Sequence, residues 1–158
     1  MMNAVEQMQN PEDVLRLVGQ LVGLPCTRVE NPRGSILSID LGDLGSRPGD
    51  TVSDRPHGWR HLTVLAPWRI ESNAAVLCDW NVEGGASGRI VELAASLVGK
   101  GIVAAATSPP GWDLRLDFDG GITLVVFGDA TVDRDDAWFI LGTDGAEGAG
   151  TPVWASEP

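Results

Sequence analysis

His57 and His61 are the only histidines among 158 residues, and they stand four positions apart with Asp54 close by. On a helix this spacing presents two imidazoles on one face, an arrangement suited to zinc. Here Pro56 and Gly58 interrupt the stretch and His61 leads into the apolar run Leu62 to Ala66, so the helical premise fails. Two nitrogen ligands without a CxxC leave an ion under-coordinated, and no metal site is expected. Asp129, Asp133, Asp135 and Asp136 form a second cluster of possible ligands. They lack the alternating oxygens, turn glycine and distal glutamate of a calcium loop, and read instead as a solvated acidic loop that a partner can dock on.

No serine sits in a Gly-x-Ser-x-Gly elbow, since Gly85-Ala86-Ser87-Gly88 has its second glycine one position early. The same Gly-rich stretch lacks the lysine of a phosphate-binding loop. No catalytic residue and no cofactor are therefore expected. The chain has six tryptophans and no tyrosine. Trp68 and Trp138 fall inside apolar strand patterns and read as core anchors, whereas Trp59 and Trp112 neighbour polar loops and read as partner contacts. Arg60, His61, Arg69 and Glu71 form an alternative, ligand-binding set beside the long loop 42–58.

The elements that position these residues follow from an internal match. Shifted by 76 positions, the chain pairs Val14 with Ile90, Leu17 with Leu93, Leu21 with Leu97 and Gly23 with Gly99. One inserted residue later, Pro32 pairs with Pro109, Leu37 with Leu114 and Asp40 with Asp117. Asn10 as cap, Pro11, and acids at 12 and 13 open a helix whose apolar stripe runs from Val14 to Val22 and which Gly23 ends. Ser87 caps a second helix, which Gly99 ends. Alternating runs at 36–41 and 113–118 read as half-buried strands, Asp119-Gly120-Gly121 as a tight hairpin, and Ile122 to Phe127 as the centre of a sheet. Residues 142–158 read as a loose tail, with Val153-Trp154 as a last edge strand. The expected fold is α+β: two pseudo-repeats, about 10–80 and 87–155, each a helix followed by a small antiparallel β-sheet, packed about a pseudo-twofold in one domain.

The net charge of −11 is uneven: nine acids face seven arginines in residues 1–76, and thirteen acids face four bases in 77–158. An acidic surface disfavours nucleic acid and anionic membranes, and its electrostatic complement is a basic protein. No apolar run approaches the ~20 residues of a membrane span, and the N-terminus has no basic and apolar leader, so a cytoplasmic protein with reduced cysteines is expected.

Trp68-Arg69-Ile70-Glu71, Leu97-Val98-Gly99 with Ile102, and Asp113 to Gly121 followed by Ile122 to Phe127 together resemble small bacterial proteins of uncharacterised function, some of them immunity-like. The resemblance covers most of residues 20–142 and carries over no catalytic residue. It implies a non-enzymatic binding module, an immunity-type inhibitor that covers a toxin's cationic site. Two alternatives stand beside it: a small-molecule-binding domain or enzyme with its site between the repeats, and a structural subunit using an exposed 122–127 strand.

Overall fold

The computed structural model describes residues 10–32, 35–46, 48–51, 54–73, 75–80, 88–128 and 136–153. In chain order the elements are α1 (Pro11–Gly19), β1 (Cys26–Glu30), β2 (Leu37–Gly45), β3 (His57–Val64), β4 (Trp68–Ser72), β5 (Ala75–Asp79), α2 (Gly88–Leu97), β6 (Ile102–Ser108), β7 (Asp113–Phe118), β8 (Ile122–Val126), β9 (Trp138–Gly142) and β10 (Glu147–Gly150). They form two five-stranded antiparallel sheets, ordered β1-β2-β3-β9-β10 and β5-β4-β8-β7-β6.

This corrects the expected fold class. The protein is mostly β, and no sheet belongs to one half of the chain: each takes three strands from one half and two from the other. The exchange happens at Pro67. β3 pairs with β9 as far as Val64 opposite Trp138, and the N–H groups of Leu65 and Ala66 then both donate to the Ala137 carbonyl. Pro67 has no N–H to continue that ladder. Its carbonyl accepts from Phe127 in the second sheet, where β4 pairs with β8. A short apolar strand carries no mark of which sheet it joins, so the 76-residue spacing does not correspond to two self-contained units.

Each helix spans the gap between sheet edges. α1 lies against β6 and β10, and α2 against β1 and β5, so all four edge strands are covered on one side. Asn10 caps α1 by accepting the Glu12 N–H at 2.9 Å, and Gly23 and Gly99 adopt φ of 92° and 90° where the chain leaves each helix. The proposed Ser87 cap lies outside the described residues. Val14, Leu17 and Val18 from α1, Leu21 from the turn after it, Leu93 and Leu97 from α2, and the inner faces of both sheets form one continuous core. Burying each such aliphatic side chain contributes roughly 1.5–3 kcal/mol. β8 is the central strand of its sheet, with Ile122, Leu124 and Val126 buried, so it offers no exposed contact to an assembly.

Two stretches expected to be irregular are strands. β2 and β3 extend into the long loop, with Leu44 opposite Gly58 and Gly45 opposite His57. β10 occupies the expected tail and completes the first sheet against β9. Its Gly148 and Gly150 are buried, and a Cβ on Gly150 would overlap the Trp138 indole. Glycine there makes room for tryptophan, although in sequence it reads as disorder.

Candidate functional site

The first sheet has an apolar inner face and a polar outer one. Along β3 the burial alternates strictly, so Gly58, Arg60, Leu62 and Val64 face inward while His57, Trp59, His61 and Thr63 face outward. On β2, Asp40 stands opposite both Arg28 of β1 and His61 of β3. The three side chains meet on the outer face.

Asp40 is the hub, with only 2% of its side chain exposed. Oδ1 lies 2.7 Å from His61 Nδ1 and accepts the Gly58 N–H at 2.8 Å; Oδ2 accepts from Arg28 Nε at 2.8 Å. His57 Nδ1 is 4.0 Å from the same Oδ1, and the two imidazoles meet edge to face with centroids 5.2 Å apart. Burial works to raise the carboxyl's pKa, but the hydrogen bonds from His61, Gly58 and Arg28 outweigh it and hold the group well below the usual carboxylate range.

Residues four apart on a regular strand point the same way but lie far from each other, so the meeting of His57 and His61 needs a local distortion. β2 supplies it. Between Leu41 and Leu44 it carries one residue more than β3, a bulge that bends both strands. Gly58 lets them close up: a Cβ there would sit 2.6 Å from the Leu41 nitrogen. The segment before His57 is tied down by Arg28 Nη2, which donates to the Pro56 carbonyl at 2.8 Å, and by Arg55, which pairs with Glu30 at 2.6 Å.

The alternative ligand set does not converge. Arg60 points inward, 2% exposed, and grips Asp144 in the β9–β10 turn with Nη1–Oδ1 at 2.8 Å and Nη2–Oδ2 at 3.2 Å. Nη2 also donates to Gln20 at 2.9 Å, and the guanidinium lies 3.7 Å from the Trp59 ring centroid. Arg69 and Glu71 pair with each other at 2.9 Å on the second sheet. Of the four, His61 alone joins Asp40. An open depression of about 530 Å³ borders Arg60 near Asp13, Arg16, Gln20, Asp144 and Glu147, where Asp13 is paired with Arg16 and Asp144 with Arg60.

Of the expected partner contacts, Trp112 is corrected. It is 5% exposed, stacks edge to face on Trp138, and accepts the Trp138 indole N–H at 2.8 Å through its carbonyl. Its position beside a polar loop suggests exposure, yet its ring fills the core. Trp59 is half-buried beneath Arg60, and Trp68 and Trp138 are core anchors as expected. Asp136 accepts a hydrogen bond from Thr151, while Asp129, Asp133 and Asp135 lie outside the described residues. Sequence reasoning looked to Asp54 as the acid beside the histidines. Asp54 instead binds the Thr51 N–H, and the acid is Asp40, seventeen residues from His57 in sequence and directly opposite His61 across the β2–β3 pair.

Among the described residues no helix is long and apolar enough to cross a membrane. Comparison with family models, curated proteins and solved structures returns no match to this chain.

Proposed function

We propose that this protein is a non-enzymatic binding module for a basic protein, in the manner of an immunity-type inhibitor that covers a cationic effector. The observation that carries the reading is the fate of the cations. Each of the six arginines with described side chains is engaged to an acid of the same chain: Arg16 with Asp13, Arg28 with Asp40, Arg55 with Glu30, Arg60 with Asp144, Arg69 with Glu71 and Arg115 with Asp117. The six described arginines are thus neutralised within the chain, and with eleven bases against twenty-two acids in the sequence a surplus of acids remains. Exposed Glu92, Asp113 and Asp119 belong to that surplus in the second half of the chain. Such a field attracts a positive surface and accelerates encounter with it.

The test is a co-purification on the full chain, followed by a binding titration with a basic protein so recovered, across a salt series. Affinity should fall steeply with ionic strength, and charge reversal at Asp133, Asp135 and Asp136 should weaken it roughly tenfold or more, about 1.4 kcal/mol. Binding indifferent to both salt and charge reversal would remove the electrostatic basis of the reading.

A further inference from the structure

Among the described residues, one place brings together side chains whose chemistry exceeds what the fold needs. All the imidazole of the chain, His57 and His61, converges on one buried carboxylate, and one donor atom from each of Asp40, His57 and His61 lies within 4.8 Å of the others. We propose that these three residues bind a single divalent transition-metal ion of the zinc type on the outer face of the first sheet.

The donor set selects the ion. Two imidazole nitrogens and one carboxylate oxygen suit zinc, cobalt, nickel or copper, whereas calcium and magnesium require mostly oxygen donors. The separations fit as well. Asp40 Oδ1 and His61 Nδ1 at 2.7 Å, and Asp40 Oδ1 and His57 Nδ1 at 4.0 Å, straddle the roughly 3.3 Å expected between two ligands of a tetrahedral ion with bonds near 2.0–2.1 Å. Small side-chain rotations would place all three around one centre. The imidazoles are reachable from solvent, with 13% of His61 and 25% of His57 exposed, so an ion has a path in and water can complete its shell.

The surroundings are already built to hold the carboxylate. Arg28 fixes Oδ2, and the Gly58 N–H fixes the orientation of Oδ1 toward the histidines, the supporting role that outer residues play around metal ligands. The two cysteines, Cys26 and Cys78, are buried in the core and offer no competing thiolate at the surface. Arg28 also sets a limit: its positive charge beside Asp40 opposes a cation, and three protein ligands bind less tightly than four. The same distances describe a hydrogen-bonded cluster in which His61 Nδ1–H donates to Asp40, and metal binding at Nδ1 displaces that proton, which the neutral ring takes up on Nε2 by tautomerisation.

The decisive measurement uses the full chain, free of any histidine tag and stripped with chelator. Cobalt(II) is titrated in while its visible absorption is followed, and zinc(II) is then added in competition. One equivalent of cobalt should bind with the intense, red-shifted bands of a four- or five-coordinate ion, and zinc should displace it. Zinc should also raise the melting temperature of the native chain. His57→Ala and His61→Ala should each weaken binding at least tenfold, and Glu92→Gln, an exposed acid on α2, should leave it unchanged. Absence of a one-equivalent cobalt spectrum, or binding that survives both histidine substitutions, overturns the proposal. An equal loss in Glu92→Gln would show non-specific attraction to the acidic surface and would overturn it too. If Asp40→Asn fails to fold, the histidine variants still decide, because their side chains lie on the outer face and their folding is read independently by the cooperative melt.

Discussion

Asp144→Ala tests whether Arg60 is a structural cation rather than a ligand-binding one. The substitution removes both carboxylate oxygens from a guanidinium that is 2% exposed, leaving Gln20 and the Trp59 carbonyl as its hydrogen-bond acceptors. Nε has no partner among the described residues even in the intact protein. Stranding one member of a buried ion pair costs about 3–5 kcal/mol, but Asp144 itself is 48% exposed, so water reaches the vacated place and screening already weakens the pair. A charge-assisted hydrogen-bonded contact of this kind is worth about 1.5–3 kcal/mol, and we expect about 2 kcal/mol. With a urea dependence of roughly 2 kcal/mol per molar, the unfolding midpoint should fall by about 1 M with no change in slope. The reasoning requires this loss to vanish when Arg60 is absent: in an Arg60→Met background, Asp144→Ala should cost less than about 0.5 kcal/mol. A midpoint shift equal in both backgrounds, or a shift below about 0.3 M in the native one, would refute it.

The same pair sets a pH dependence. Its hydrogen bond to Arg60 holds the Asp144 carboxyl below its ordinary value, so its stabilisation is complete above the unfolded value near 3.9 and is lost as pH falls toward the folded one. Denaturation midpoints measured below about pH 4 should therefore fall more steeply in the native chain than in Asp144→Ala. At the other end of the scale, burial pushes the Cys26 thiol up to about 12, with the charge of Asp40 adding to the effect. A raised thiol pKa leaves stability intact below the unfolded value near 8.5 and erodes it as pH climbs toward the folded one, and at pH 8 a thiol reagent should label Cys26 only after denaturant is added. Gly58→Ala should lose at least about 2 kcal/mol, because its Cβ would press on the Leu41 backbone at 2.6 and 2.8 Å. Gly19→Ala, at the end of α1 with nothing within 4 Å, should instead gain a few tenths up to about 1 kcal/mol, both read from thermal melts.

Local signals in the chain were legible where one residue decides one conformation. Asn10-Pro11-Glu12-Asp13 reads as a helix start and is one, Gly23 and Gly99 adopt the left-handed turns after the helices, and Asp119-Gly120-Gly121 closes the β7–β8 hairpin. The apolar alternation of Leu37, Ile39 and Leu41, and the doubly apolar run after Ile122, placed their strands on the core correctly. The candidate site was half legible. His57 and His61 drew attention by type and spacing, but the acid that joins them is a strand apart and looked like an ordinary solvent-facing aspartate in an alternating pattern.

Periodicity fixes which face of a strand is buried and which residues end it, because those depend on side chains two or four positions away. It says nothing of which strand lies alongside. The pairing of β3 with β9 and of β4 with β8 was settled only when Pro67 turned the chain from one sheet into the other and the two inner faces closed on a shared core. That closure carried Arg60 inward to Asp144 and packed Trp112 against Trp138, while the β2–β3 register set Asp40 opposite His61 and the bulge after Leu41, which sequence spacing does not reveal, drew His57 to the same carboxylate.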